Sequence, residues 1–194
     1  MLVQVRGAAP RQPDQGQPQS RRGVERELNT ICAMGVVRIR SYRPGDEHAL
    51  ADVFFSSVRE AGLADYSQDQ VRAWAPRRPH ASQFADRAKD GRLLLVAVSP
   101  DDQLVAYADL EDDGHIDHVY CLPAWVGQGV GSALCEAIET EARARGMRRL
   151  FVEASEAARR LFERKGFRVV RRNDLEVQGV RLHNFYMEKD LPIG

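Results

Sequence analysis

The stretch that most constrains this fold is residues 93–146, where the rhythm of the chain changes once. Leu93-Leu-Leu-Val-Ala-Val98 is continuously apolar, as in a strand buried on both faces. Ser99-Pro-Asp-Asp102 and Asp112-Asp-Gly114 have turn chemistry and are too short for a crossover, so Leu104–Leu110 and His115–Leu122 follow as antiparallel neighbours. After Pro123 come Gly127-Gln-Gly-Val-Gly131 and then Val130, Leu134, Ala137, Ile138 and Ala142 at helical spacing, ended by Gly146. Hairpins that give way to strand–turn–helix require a mixed sheet.

The remainder fits that frame. Val36–Tyr42 alternates as a strand and is stopped by Pro44 and Gly45. Helical spacing runs from residue 46 to about 61, Ser67 caps a helix over Gln68–Trp74, and a third runs from Ser82 to Lys89. Leu150–Val152 reads as a strand and Ser155 caps a helix to Lys165; Phe167–Val170 and Val180–Met187 complete the sheet. The expected class is α/β (α+β mixed sheet), with antiparallel N-terminal strands and helices on both faces.

The 194 residues hold 28 Lys+Arg and 28 Asp+Glu, which speaks against a general nucleic-acid binder or a polybasic membrane protein. No apolar run reaches the length of a membrane span. Cys32, Cys121 and Cys135 are far apart and lack metal-ribbon spacing, which points to a reducing cytoplasm and to no metal. The prevalence of Arg over Lys and the many Ala suit a GC-rich bacterial genome. Residues 7–23 hold three Pro, three Gly and four Gln with no aromatic residue. Residues 1–35 therefore read as a disordered extension, with Met34 an alternative start, and residues 36–190 as the domain.

Glycines before a helix let the backbone approach a ligand, and the unpaired amides of the first turn suit a phosphate. A Walker loop would need Lys-Ser/Thr where Ser132-Ala133 stands, and a dinucleotide turn would need its third Gly one residue later. Cys121-Leu-Pro-Ala-Trp-Val-Gly-Gln-Gly-Val-Gly-Ser-Ala-Leu134 resembles the pyrophosphate signature of the GNAT superfamily of acyl-CoA-dependent N-acyltransferases, Arg/Gln-x-x-Gly-x-Gly/Ala. Ser155-x-x-Ala158 with Leu161-Phe-Glu-Arg-Lys-Gly-Phe167 is similar to that family's Asn-x-x-Ala…Leu-Tyr-Glu-Lys-x-Gly-Phe segment.

The resemblance implies a GNAT-like fold splayed at its centre. It also implies acetyl transfer from acetyl-CoA, a co-substrate, to a primary amine of a small molecule or protein. Cys121, Leu122, Val126, Gly127, Gln128, Gly129, Val130, Gly131, Ser132, Ser155 and Phe162 are the implied cofactor contacts. Three positions depart from the pattern: Val126 replaces Arg/Gln, Ser155 replaces Asn, and Phe162 replaces the Tyr that often protonates the departing thiolate. Alternation places His115 and Asp117 on one strand face and Ile116 and His118 on the other. Asp117, ahead of His115, is the candidate base; Tyr120 and Tyr186 are the candidate acids. Homodimers are common in the family. Phe162 also admits an alternative, a CoA-binding sensor or interaction module with little or no turnover.

Overall fold

A computed structural model describes residues 28–32 and 35–192, with side chains from residue 37 onward. Its strands and helices are β1 (Leu28–Cys32), β2 (Gly35–Ser41), α1 (Glu47–Arg59), α2 (Gln68–Trp74), α3 (Ala81–Arg87), β3 (Leu93–Val98), β4 (Leu104–Leu110), β5 (Val119–Cys121), α4 (Val130–Ala144), β6 (Arg149–Ala154), α5 (Glu156–Arg164), β7 (Arg168–Val177) and β8 (Val180–Asp190). Ser67 caps α2 in a full capping box with Gln70, as its sequence requires.

The strands form two sheets, β1-β2-β3-β4-β5 and β6-β8-β7, all their pairs antiparallel. The first sheet begins earlier than residue 36, because the backbone of Leu28–Cys32 pairs with β2. The remaining part of the expected N-terminal extension lies outside the described residues. β7 and β8 are longer than their apolar stretches. β7 is exposed along most of its length, so its Arg-Arg-Asn-Asp centre carries little alternation. Gln178 and Gly179, both at positive φ, close its hairpin onto β8.

Two apolar cores lie on opposite faces. Val105, Ala108, Val119, Cys121, Val152 and Ala154 belong to the core that includes Leu134, Ile138 and Phe162 of α4 and α5. Tyr107, Tyr120 and Leu182 belong to the other, with Leu50, Val58 and Val71 of α1 and α2. Alternation along the strands feeds both, shifted by one residue in β4, where the irregular register at Ala97–Val98 lets Val105 and Ala106 share one core.

The sheets are joined where His115 and Phe151 form a parallel bridge. Ile116 N–H donates to the Phe151 carbonyl at 2.9 Å, and Phe151 N–H to the Gly114 carbonyl at 3.1 Å. Beyond this joint β5 and β6 diverge into separate sheets. Gly114 makes the joint passable: it sits at φ +92°, and a Cβ there would lie 2.3 Å from the Arg149 carbonyl oxygen. Gly114→Ala is therefore expected to lower unfolding stability by about 2 kcal/mol or more in urea titration, combining left-handed strain with a backbone clash. An unchanged midpoint would show that the sheets do not depend on this approach.

Candidate functional site

The glycine turn closes the far end of the divergence. Gly127 and Gly129 adopt φ +80° and +89°, which an L side chain disfavours, and Gly129 is the N-cap of α4 without any side-chain cap bond. Ala133 N–H is bonded to the Gly129 carbonyl at 3.0 Å. The amides of Val130, Gly131 and Ser132 come before that bond and, by helix geometry, have no partner within the helix. Val126, at the Arg/Gln position of the signature, is 45% exposed, and Gln128 and Ser132 stand on the same turn.

One side of the divergence is the edge of β5 that does not pair with β4. Leu122 N–H donates to the Val105 carbonyl at 2.8 Å, so that amide is committed to β4. The ladder's parity turns the N–H groups of Val119 and Cys121 the other way, toward β6. Of the two strand positions implied as cofactor contacts, the Cys121 amide turns toward β6 and the Leu122 amide does not. Cys121 itself is a buried free thiol facing the α4 core.

The approach to β5 is not a regular strand. Glu111 N–H bonds to the His115 carbonyl and Asp109 N–H to the His118 carbonyl, so two steps of β4 oppose three of its partner. This bulge breaks the expected alternation. Ile116 enters the α4 core, whereas His118 turns to Tyr107 and Phe54 on the α1 face, where Asp117 is also held.

That face carries a buried ionic cluster. Arg87 of α3 and Arg92 both donate to Asp117 Oδ2, Arg92 at 3.0 Å. Arg92 also bonds Asp109 at 3.0 Å, Glu111 at 2.9 Å and Asp90 at 2.6 Å. Burial works against the Arg92 charge, yet Asp90 and Asp109 raise its pKa. Burial pushes the Asp109 carboxyl up, opposed by Arg87, Arg92 and the His118 N–H. No group of three or more His, Cys, Asp or Glu among the described residues is arranged to hold a metal.

His115 spans the joint. Its Nε2 lies 2.7 Å from Glu153 of β6, its Nδ1 3.4 Å from Glu111, and its ring stacks on Phe151 with centroids 4.9 Å apart. Tyr186 of β8 is half-buried and directly opposite Glu153, with the Arg171 guanidinium 4.4 Å from its ring centroid. Tyr120 is fully buried among Phe54, Tyr107 and His118. The structure thus brings His115 and Tyr186 to either side of Glu153 and packs Tyr120 away in the α1 core.

Ser155 is fully buried, and its Oγ caps α5 by accepting Ala158 N–H at 3.2 Å. Phe162 is fully buried, edge-on to Phe167 at 4.9 Å. Sequence reasoning missed Glu153, Glu111, Arg87 and Arg92. The available signal was weak: a Glu on the otherwise apolar Leu150–Ala154 strand, and an Arg at the mouth of the apolar Leu93–Val98 strand.

Burial, followed by the charges of Arg87 and Arg92, drives the pKa of His118 well below the ordinary imidazole value of about 6.5. A histidine depressed in the fold contributes stability above its unfolded pKa and loses it as pH falls, here from about 6.5 downward, by at most about 1.4 kcal/mol per pH unit. Imidazole nitrogen NMR is expected to show His118 neutral at pH 5. A midpoint near 6.5 would contradict its enclosure.

The "Acetyltransferase (GNAT) domain" family model matches residues 62–191. The uncharacterized N-acetyltransferase YafP of Escherichia coli strain K12 is 30% identical over 155 residues, 79% of this chain and 96% of that protein. A solved GCN5-related N-acetyltransferase from Rhodopseudomonas palustris is 34% identical, with TM-score 0.73 over 84% of this chain and 98% of that one. The fold is shared with YncA of Salmonella typhimurium, a putative acetyltransferase solved with acetyl-CoA, at 21% identity and TM-score 0.64 over 80% of this chain and 94% of that one. On the family match and the YafP relationship, the chain belongs to the GNAT acetyltransferase family.

Proposed function

We propose that the protein moves an acetyl group from acetyl-CoA to a primary amine by direct attack within a ternary complex. The observation that carries this reading is the opening between β5 and β6, which ends on the uncapped glycine turn of α4. Amides of Val130, Gly131 and Ser132 suit the pyrophosphate through their hydrogen-bonding capacity and the positive end of the helix. They also account for a site that works with Val126 at the Arg/Gln position. The β6-facing edge of β5 suits the pantetheine arm, with the Cys121 amide positioned to stabilise the oxyanion.

The chemistry requires a neutral amine, attack on the thioester carbonyl, collapse of the tetrahedral adduct and protonation of the thiolate. Asp117 is a poor base, because two guanidiniums converge on one of its oxygens and favour the charged form. His115 lies closer to the opening, at the joint itself. Phe162 has no proton to give. Tyr186, on the face of β8 that carries the cross-strand pair with Glu153, is the phenol placed to return a proton, ahead of the enclosed Tyr120. The acceptor side includes a cavity of about 640 Å³ between α2 and the β7–β8 hairpin, lined by Gln70, Asp174, Arg181 and His183.

No described helix is long and apolar enough to cross a membrane. We place the enzyme in a bacterial cytoplasm, a setting that suits the free thiols of Cys121 and Cys135. A second reading, a CoA-binding sensor with little turnover, draws on Phe162 alone.

Calorimetry with acetyl-CoA, beside thiol release with a library of alkylamines, polyamines and peptides, separates these readings. Binding with turnover is expected. Binding without turnover on any amine would favour the sensor. Gly131→Glu is expected to weaken acetyl-CoA binding at least 100-fold by placing bulk and negative charge among the turn's amides. Unchanged affinity would defeat the assignment of this turn to the cofactor.

A further inference from the structure

Glu153, which the chemistry above leaves unused, ends a series of polar groups at the joint of the two sheets. Glu153 lies on β6 between Val152 and Ala154, which face the α4–α5 core, so its carboxylate points to the opposite side, the one that carries Tyr186 of β8. There it reaches across the joint to His115 Nε2 at 2.7 Å. A carboxylate can only accept, so the imidazole donates in this contact. The other ring nitrogen stands 3.4 Å from Glu111 Oε2, an ionic contact rather than a hydrogen bond, and Glu111 Oε1 accepts from Arg92 at 2.9 Å. Stacking on Phe151 fixes the ring plane. The series runs from a nearly buried arginine, through a carboxylate and an imidazole, to a second carboxylate, whose side chain is 13% exposed.

We propose that Glu153 is the group that takes the proton from the acceptor ammonium, with His115 and Glu111 as positioning residues behind it. This rests on the transferase reading above. In the step, the ammonium N–H bond breaks and a Glu153 O–H bond forms. The released nitrogen lone pair attacks the thioester carbonyl, and the proton passes to water when product leaves the opening. His115 is not itself the base, because the nitrogen that faces the opening is committed to Glu153. Orientation through a second group is how catalytic bases are held in one geometry.

The groups that set the proton affinity of Glu153 come from each element around it. His115 approaches from the β4–β5 connection and Tyr186 from β8, while Arg171 of β7 lies over that phenol. One pair away, Arg149 lies over Phe151 and faces Glu188 at 3.7 Å. Loss of the His115 donor removes a bond to the charged carboxylate and makes Glu153 harder to ionise.

The test is a pH profile of kcat with the best amine of the library, run beside acetyl-CoA calorimetry. Glu153→Gln is expected to lower kcat about 100- to 1,000-fold and to abolish the acidic limb, with acetyl-CoA affinity within about twofold of wild type. Glu153→Asp, which keeps the charge but shortens the reach, is expected to fold and to lose at least about tenfold in kcat. His115→Leu should move the acidic limb to higher pH. His115→Gln, whose amide can replace the Nε2 donor, should move it less. Wild-type kcat and an intact limb in Glu153→Gln would overturn the proposal, and an unmoved limb in His115→Leu would overturn the role of His115. Wild-type protein that fails to bind acetyl-CoA would instead refute the transferase reading on which the proposal rests.

Discussion

Two backbone hydrogen bonds, Ile116 N–H to the Phe151 carbonyl and Phe151 N–H to the Gly114 carbonyl, connect the halves of this protein. A continuous sheet would extend that ladder along β5 and β6 and leave no room between them. Here the ladder ends after one bridge, and the strands diverge toward the glycine turn. The joint holds only because Gly114 lets one backbone approach the other more closely than any side chain would allow. The divergence of β5 from β6 and the placement of His115 beside Glu153 both follow from that single close approach.

A strand edge that faces an opening rather than a neighbour needs other support. Much of it comes from the ionic cluster on the α1 face, where Arg87 and Arg92 collect the carboxylates of Asp109, Glu111 and Asp117. Removing such charges from water is costly, and they are tolerated because each guanidinium serves several acceptors in fixed geometry. The arrangement binds α3 and the start of β3 to the bulged approach to β5. It also explains why Asp117, the candidate base on the approach to β5, is a structural anchor on this account, whereas the base proposed above, Glu153, lies more than twenty residues beyond the glycine turn.

Features that depend on the identity of one residue were legible in the sequence. The glycine turn could be read because positive φ at Gly127 and Gly129 restricts what can stand there. The Ser67 and Ser155 caps were legible because few side chains can satisfy a helix start. Features that depend on matching two segments were not. The bulge opposite Asp109–Glu111 is a mismatch in residue count between strands, invisible in either strand alone, and it overturned the alternation inferred for Ile116 and His118. Glu153 resembled an ordinary outward-facing strand residue until the joint placed His115 2.7 Å away. β7 was cut short because an exposed strand held by its hairpin needs no apolar alternation.

The central claim is that acetyl-CoA lies in the opening between β5 and β6 and ends on the first turn of α4. Amide hydrogen exchange with and without acetyl-CoA tests it most directly, because both walls of the proposed site are backbone N–H groups. The account predicts new protection at Val119 and Cys121 and at Val130, Gly131 and Ser132, with Leu122 unchanged because its amide is already bonded to Val105. Protection confined to other segments, or none at saturating acetyl-CoA, would contradict it.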